Sequence, residues 1–313
     1  MPISILGMTY KYLGELEKAI EILYKSLEVN TNNLGMKILA LTDILICEFI
    51  IGEFNQVPKH YKEIAHLIDK GGLQEIKEEK NILHSVVFPK FVSEVYTTIV
   101  ESAHLSLKSK IPHIGESHCL SFAYQSLFIS SQTKYIQPFL IEGGKAFHLA
   151  KNNKNKWKSS LVKQIEKYKS SEEIFISFGE IDCRADEGIL QFAKKKKLNI
   201  EQVCFETVNN YINYMELTLS PFFSSRYYFG VPAPVILNLT PTHLDKTRIE
   251  LIKFFNQVLK NEVLRRDLFF IDVFELTTNE NFENNKIHMI DNTHLSSTCL
   301  PLLFKKHLYS KSN

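Results

Sequence analysis

Three short segments, far apart in the chain, hold the residue types that nucleophilic acyl transfer needs. His113-Ile114-Gly115-Glu116-Ser117-His118 offers a serine just past an apolar run. Ile176-Ser177-Phe178-Gly179-Glu180-Ile181-Asp182-Cys183-Arg184 follows a second such run. Asp291-Asn292-Thr293-His294-Leu295 places a carboxylate three residues before a histidine. A serine hydroxyl is a weak nucleophile until a base takes its proton, and the base needs a third group to fix its tautomer. Ser117 is the candidate nucleophile, His294 the candidate base and Asp291 the candidate orienting group. A turn serine capping a following helix is the plainer reading of Ser117. Cys119 is a rival nucleophile, although a small packing role suits its place after His118. His113 and His118 read as structural or substrate-lining. Asp291 and His294 lack a third ligand at recognisable metal spacing, so the expectation is no metal and no cofactor.

Positioning these segments requires a sheet. From about residue 110, short apolar runs alternate with helical patterns. The runs are Ile111–Ile114, Ile136–Ile141, Ile174–Phe178, Tyr227–Val231 and Leu268–Val273. Helical patterns cover Lys156–Lys169, Ile200–Leu219 and Lys246–Leu264, with a closing helix over Thr298–Tyr309. Such alternation predicts a parallel sheet covered on both faces, with ligands bound beyond the carboxyl ends of the strands. Ser117 and Asp182 both fall on that rim.

The N-terminal part is different. Residues 3–70 are helical in pattern. Gly7, Tyr10, Ala19, Leu23 and Ser26, with the turn Leu13-Gly14-Glu15-Leu16, resemble a tetratricopeptide repeat, and Ile51-Gly52-Glu53-Phe54 echoes that turn in a degenerate second unit. Such repeats stack helix pairs and can expose a binding face for a protein partner. Two units are too few for a continuous core, so packing on the rest of the chain is expected. Gly71-Gly72 and the charged run Glu75–Lys80 read as a boundary. The expected division is a tetratricopeptide-like region at 1–72, a helical linker at 73–108 that includes a helix over Phe91–Leu107, and an α/β domain at 109–313.

Composition narrows the function classes. The 313 residues are 44% hydrophobic, enough for a large core, and the formal charge of +2 gives no electrostatic case for nucleic acid or an anionic membrane surface. Lys194–Lys197 is the dense basic cluster and reads as the solvated end of a helix. Five scattered cysteines without a Cys-x-x-Cys pair argue for reduced thiols. The most apolar stretch, Ile38–Ile51, contains Asp43 and Glu48 and reads as a buried helix, not a membrane span. No leader pattern opens the sequence, and a cytoplasmic protein is expected.

The motif residues together resemble the SGNH/GDSL hydrolase superfamily over roughly residues 110 to 310. Gly115-Glu116-Ser117-His118 stands for the Gly-Asp-Ser block, with Glu replacing Asp. Glu142-Gly143-Gly144-Lys145-Ala146 stands for the block that supplies an oxyanion-hole glycine, and Asp291 and His294 match the closing Asp-x-x-His. Gly179-Glu180-Ile181-Asp182 stands for Gly-x-Asn-Asp, so Ile181 occupies the place of the oxyanion-hole Asn. The resemblance implies a three-layer, flavodoxin-like α/β fold with a mostly parallel five-stranded sheet. It also implies an oxyanion hole from the N–H groups of Ser117 and Gly143 or Gly144. Loss of one donor costs about 3–4 kcal/mol where it has been measured. Arg184 could compensate with its guanidinium, bind an anionic part of the substrate, or pair with Asp182 or Asp186. Glu180 could meet a sugar hydroxyl. The third block is similar to that of bacterial members, some associated with cell-surface polysaccharides. The reading is therefore a serine esterase or acyltransferase acting on a small-molecule or carbohydrate ester. The alternative is a catalytically weak or inactive binding protein of the same fold, recruited through its helical repeats.

Overall fold

The computed structural model describes residues 3–29, 32–102, 109–168, 171–238 and 240–309. The chain divides into two compact units, Met1–Ala103 and His104–Asn313.

The first unit is helical: α1 (Ile3–Tyr12), α2 (Leu16–Val29), α3 (Leu34–Ile51), α4 (Val57–Asp69) and α5 (Glu79–Ser102). Between α1 and α2, Gly14 takes a left-handed conformation. Gly7 lies against Leu23, while Ala19, Leu23 and Ser26 are buried. The α3 helix is the buried one, as its hydropathy predicts, and its two acids are matched. Asp43 pairs with Lys11. Glu48 accepts the Tyr24 hydroxyl at 2.9 Å and lies 3.1 Å from His60 Nε2. The charged run at 75–80 is less of a break than expected. It ends inside α5, which starts at Glu79 and continues through Pro89. Residues 103–107 of the helix expected up to Leu107 lie outside the described residues, as does Lys169.

The second unit contains β1 (Lys110–Gly115), β2 (Ser126–Ile129), β3 (Gln132–Leu140), α6 (Ala146–Ala150), α7 (Lys156–Glu166), β4 (Glu173–Ser177), α8 (Gly188–Lys196), α9 (Ile200–Leu219), β5 (Ser225–Phe229), α10 (His243–Leu264), β6 (Phe269–Ile271), α11 (Val273–Thr277) and α12 (Leu300–Tyr309). The sheet order is β2-β3-β1-β4-β5-β6. The five expected strands are mutually parallel, and their order is that of a flavodoxin-like doubly wound sheet. The sheet nevertheless has six strands, not five. The extra one, β2, pairs antiparallel with β3 across a two-residue turn at Ser130 and Ser131, both at positive φ. That turn conformation suits hairpins, but two serines give no Asn-Gly-type signal. Phe128, exposed on the edge strand, blurs the apolar pattern.

Side chains alternate across the buried strands and build one core on each face. Ile174 and Ile176 join Leu161, Val208 and Phe255 on one side, and Phe175 joins Ile111, Phe229 and Phe304 on the other. The α10 helix begins earlier than its apolar pattern because Thr242 and Asp245 form a reciprocal capping box. Lys194–Lys197 lie exposed at the end of α8, where cations complement the helix dipole. All five cysteines are buried, and none forms a disulfide. No described helix is long and apolar enough to cross a membrane.

A very tight backbone approach lies between β1 and β4. A Cβ on Gly115 would fall 2.2 Å from Ser177 Oγ and 2.3 Å from the Ser177 carbonyl oxygen. Gly115→Ala should therefore destabilise the protein by about 1–3 kcal/mol, the usual cost of forced overpacking. Urea unfolding followed by circular dichroism measures it, and an unchanged midpoint would mean the two strands can part freely.

Candidate active site

Ser117 is delivered by the end of β1. The Glu116 N–H donates to the Ser177 carbonyl at 3.1 Å, which carries the β1–β4 pairing one residue past the strand. The chain then turns through a 3₁₀ segment, Ser117–Leu120. Ser117 is 9% exposed and His294 only 3%. They meet across 177 residues of sequence, with Ser117 Oγ 2.9 Å from His294 Nε2. His294 Nδ1 lies 2.8 Å from Asp291 Oδ2. A carboxylate can only accept, so Nδ1 carries the proton and Nε2 is left to accept the serine hydroxyl.

Asp291 is held by its own loop. Its Oδ1 accepts the N–H groups of Thr293 and His294, both at 2.7 Å. A bridge between Met289 and Leu295 closes the loop, reinforced by Ile290 N–H donating to the His294 carbonyl at 2.8 Å. Burial opposes the charge on Asp291, but the His294 ring and the two N–H donors outweigh it and hold the carboxyl at about 2. Burial also lowers the proton affinity of His294, against the opposing pull of Asp291. Cys119 is no competitor, since burial pushes its thiol well up.

The other predicted residues separate in role. The turn Ile141–Gly144 follows β3, and Gly143 adopts positive φ there. The Gly144 N–H is already engaged by the Ile141 carbonyl at 2.8 Å. Asp182 is buried and accepts the N–H groups of Ala146 and Phe147 at 2.8 and 3.0 Å, tying the third block to the start of α6. Burial, opposed by those N–H donors, raises its carboxyl to about 7. Arg184 pairs with neither Asp182 nor Asp186. Its guanidinium holds Glu180, at 2.8 Å from Nε to Oε2, and Glu187 at 3.3 Å. Glu180 is therefore buried and charge-paired. Burial raises its carboxyl, and the positive charge of Arg184 more than reverses this. Arg248 of α10 adds a bond to Glu180 Oε1 at 3.3 Å. No signal in sequence marks Arg248, because only the packing of α10 brings it to Glu180.

His118 is buried. Its Nε2 lies 2.9 Å from the Thr293 carbonyl oxygen, so it donates to the loop that carries His294. His113 is buried between Phe122 and Phe229, and burial drops its pKa to about 3, which makes it a neutral core residue. Glu116, His118 and Glu180 bring ligand-type atoms within 4.8 Å of one another. Both Glu180 oxygens are bound by guanidinium groups, and a divalent ion there would sit against two cations. The trio fits a balanced ion cluster better than a metal centre.

No protein-family model and no curated protein matches the chain. The fold is similar to several solved structures. A proposed platelet activating factor from Streptococcus pneumonia shares 18% identity, with 70% of this chain and 94% of that one covered and a TM-score of 0.44. A proposed acylhydrolase from Bacteroides fragilis shares 14% over 68% and 94%, at 0.41. A catalytic variant of an acetylxylan esterase from Geobacillus stearothermophilus shares 13% over 64% and 94%, at 0.40.

Two outcomes follow from the site. If neutral His294 must accept the Ser117 proton, its lowered affinity keeps it neutral into mildly acidic solution. Labelling of the serine by a fluorophosphonate should then fall only as pH drops through a midpoint below about 6.5, the ordinary histidine value. A midpoint at or above that value would contradict the electrostatics described. Asp182→Ala should orphan two buried N–H groups and lower stability by about 1–3 kcal/mol, read by urea unfolding.

Proposed function

We propose that the protein is a serine ester hydrolase of the SGNH/GDSL type, with the α/β unit as a three-layer, flavodoxin-like domain. The observation that carries this reading is the chain of contacts from Ser117 Oγ to His294 at 2.9 Å and from His294 to Asp291 at 2.8 Å. Ser117 Oγ attacks the ester carbonyl carbon while His294 Nε2 takes its proton. The negative oxygen of the tetrahedral intermediate is met by the N–H groups of Ser117 and Gly143. Collapse expels the alcohol, which takes the proton back from His294, and leaves an acyl-serine. Water activated by the same histidine completes hydrolysis. A sugar hydroxyl in place of water would complete acyl transfer.

Ile181 offers no side-chain donor to the intermediate, so this enzyme leans on backbone groups, and its turnover on simple esters should be modest. A carbohydrate-linked ester is the substrate class that the resemblance favours. The helical unit, if tetratricopeptide-like, would serve to recruit a protein partner.

Ser117→Ala should abolish both fluorophosphonate labelling and hydrolysis of p-nitrophenyl acetate with the fold retained. His294→Ala should be nearly as inactive. Asp291→Asn should keep part of the activity, because orientation is lost before basicity. Labelling of Ser117→Ala at the wild-type rate would move the nucleophile elsewhere. A folded wild type that never labels would favour the alternative, a binding protein on the same scaffold.

A further inference from the structure

The Ser117 turn carries a second histidine that the triad does not use. His118 is buried, and its Nε2 lies 2.9 Å from the Thr293 carbonyl oxygen. A carbonyl can only accept, so Nε2 bears a proton. The other ring nitrogen faces a carboxylate, with Nδ1 3.6 Å from Glu116 Oε1. A lone pair on Nδ1 would repel that carboxylate, whereas a proton would be attracted to it. Glu116 has a matching deficit. Its Oε1 accepts the Glu180 N–H at 3.0 Å, and its buried Oε2 has no hydrogen-bond partner in the structure. Nδ1 of His118 is likewise unpartnered. Both side chains line a small pocket shared with His113, Ser177 and Glu180.

We propose that His118 is a positioning residue in its imidazolium form: it clamps the loop bearing His294 to the turn bearing Ser117 and holds a positive charge beside the ring of the base. The inference rests on the reading of Ser117 and His294 given above. The ring centroids of His118 and His294 are 5.5 Å apart, within strong Coulomb range in a buried setting. The groups facing His118 support the charged form. Glu116 comes from its own turn and Glu180 from the turn after β4. His294 comes from the loop before α12, and His113 from β1. The two guanidinium groups, Arg184 and Arg248, are already committed to Glu180. Burial works against a proton on His118, but Glu116 and Glu180 outweigh it and raise the proton affinity. The same charge is one of the influences that lower His294. The clamp makes sense of the Glu-Ser-His sequence. Glu116 bonds the third block, Ser117 meets the base, and His118 bonds the last block.

The test uses the full chain with ¹⁵N-labelled histidine, observed by NMR across pH, with fluorophosphonate labelling in parallel. In the wild type, both ring nitrogens of His118 should be protonated at pH 7. His118→Gln keeps a donor for Thr293 but removes the charge. In that variant the His294 pKa should rise by about half a unit to two units, from a unit charge at this separation. The acid limb of labelling should move up with it. His118→Ala should label more slowly than His118→Gln at high pH, because only glutamine can restore the donor. A neutral His118 at pH 7 in the wild type would overturn the proposal without any variant having to fold. So would a His294 pKa that is unchanged in a folded His118→Gln. If the folded wild type does not label at any pH, the hydrolase reading fails. The NMR titration then still decides whether His118 is charged and coupled to His294.

Discussion

The pairing of β1 with β4 is the constraint on which the candidate site depends. Parallel strands end on the same side of the sheet, so two adjacent parallel strands place their following turns next to each other. Here the approach is so close that only glycine fits at position 115 against Ser177. The Glu116 N–H extends the ladder beyond the strand. As a result the Ser117 turn and the Gly179–Asp182 turn begin side by side. The Glu116 carboxylate can then accept the Glu180 N–H directly. The position of Ser117 is set by backbone hydrogen bonds, which tolerate little drift.

Around that junction several charged groups are buried or half-buried. Most have compensation within reach, the condition on which burial of charge is tolerated. Asp291 is satisfied by its own loop and by His294, Glu180 by two guanidinium groups, and Asp182 by the first N–H groups at α6. Asp291 also carries a pH signature. With its carboxyl held near 2, its stabilising contribution is present above the ordinary aspartate range and is lost as pH falls through about 2. Asp182 is the contrast, because burial outweighs its two donors and its carboxyl rises to about 7. The same motif carboxylates thus differ by environment. Asp291 stays ionised beside His294, and Asp182 works as a buried helix-start acceptor.

The first unit shows the same rule in a helical setting. The apolar α3 helix carries Asp43 and Glu48 into the interior because Lys11, Tyr24 and His60 reach them from α1, α2 and α4.

Much of this was legible in the residues alone. Period and composition located the five parallel strands and the long helices, because a strand buried on both faces must be apolar throughout and a helix must repeat at its own period. The carboxylate three residues before His294 made a local pair readable, since that spacing lets Asp291 bond both the backbone and the ring of His294. Only the tertiary structure decided which distant groups meet. The approach of Ser117 to His294 spans 177 positions, and no local pattern encodes it. The same holds for Arg248 on Glu180 and for His118 on Thr293, each brought by an element whose own sequence gives no sign of its partner. The hairpin strand β2 escaped because Ser130 and Ser131 adopt left-handed conformations without the glycine or asparagine that announces them. The hydrogen-bond partners of Gly144 and Arg184, Ile141 and Glu180, likewise depend on how the turns after β3 and β4 fold in space.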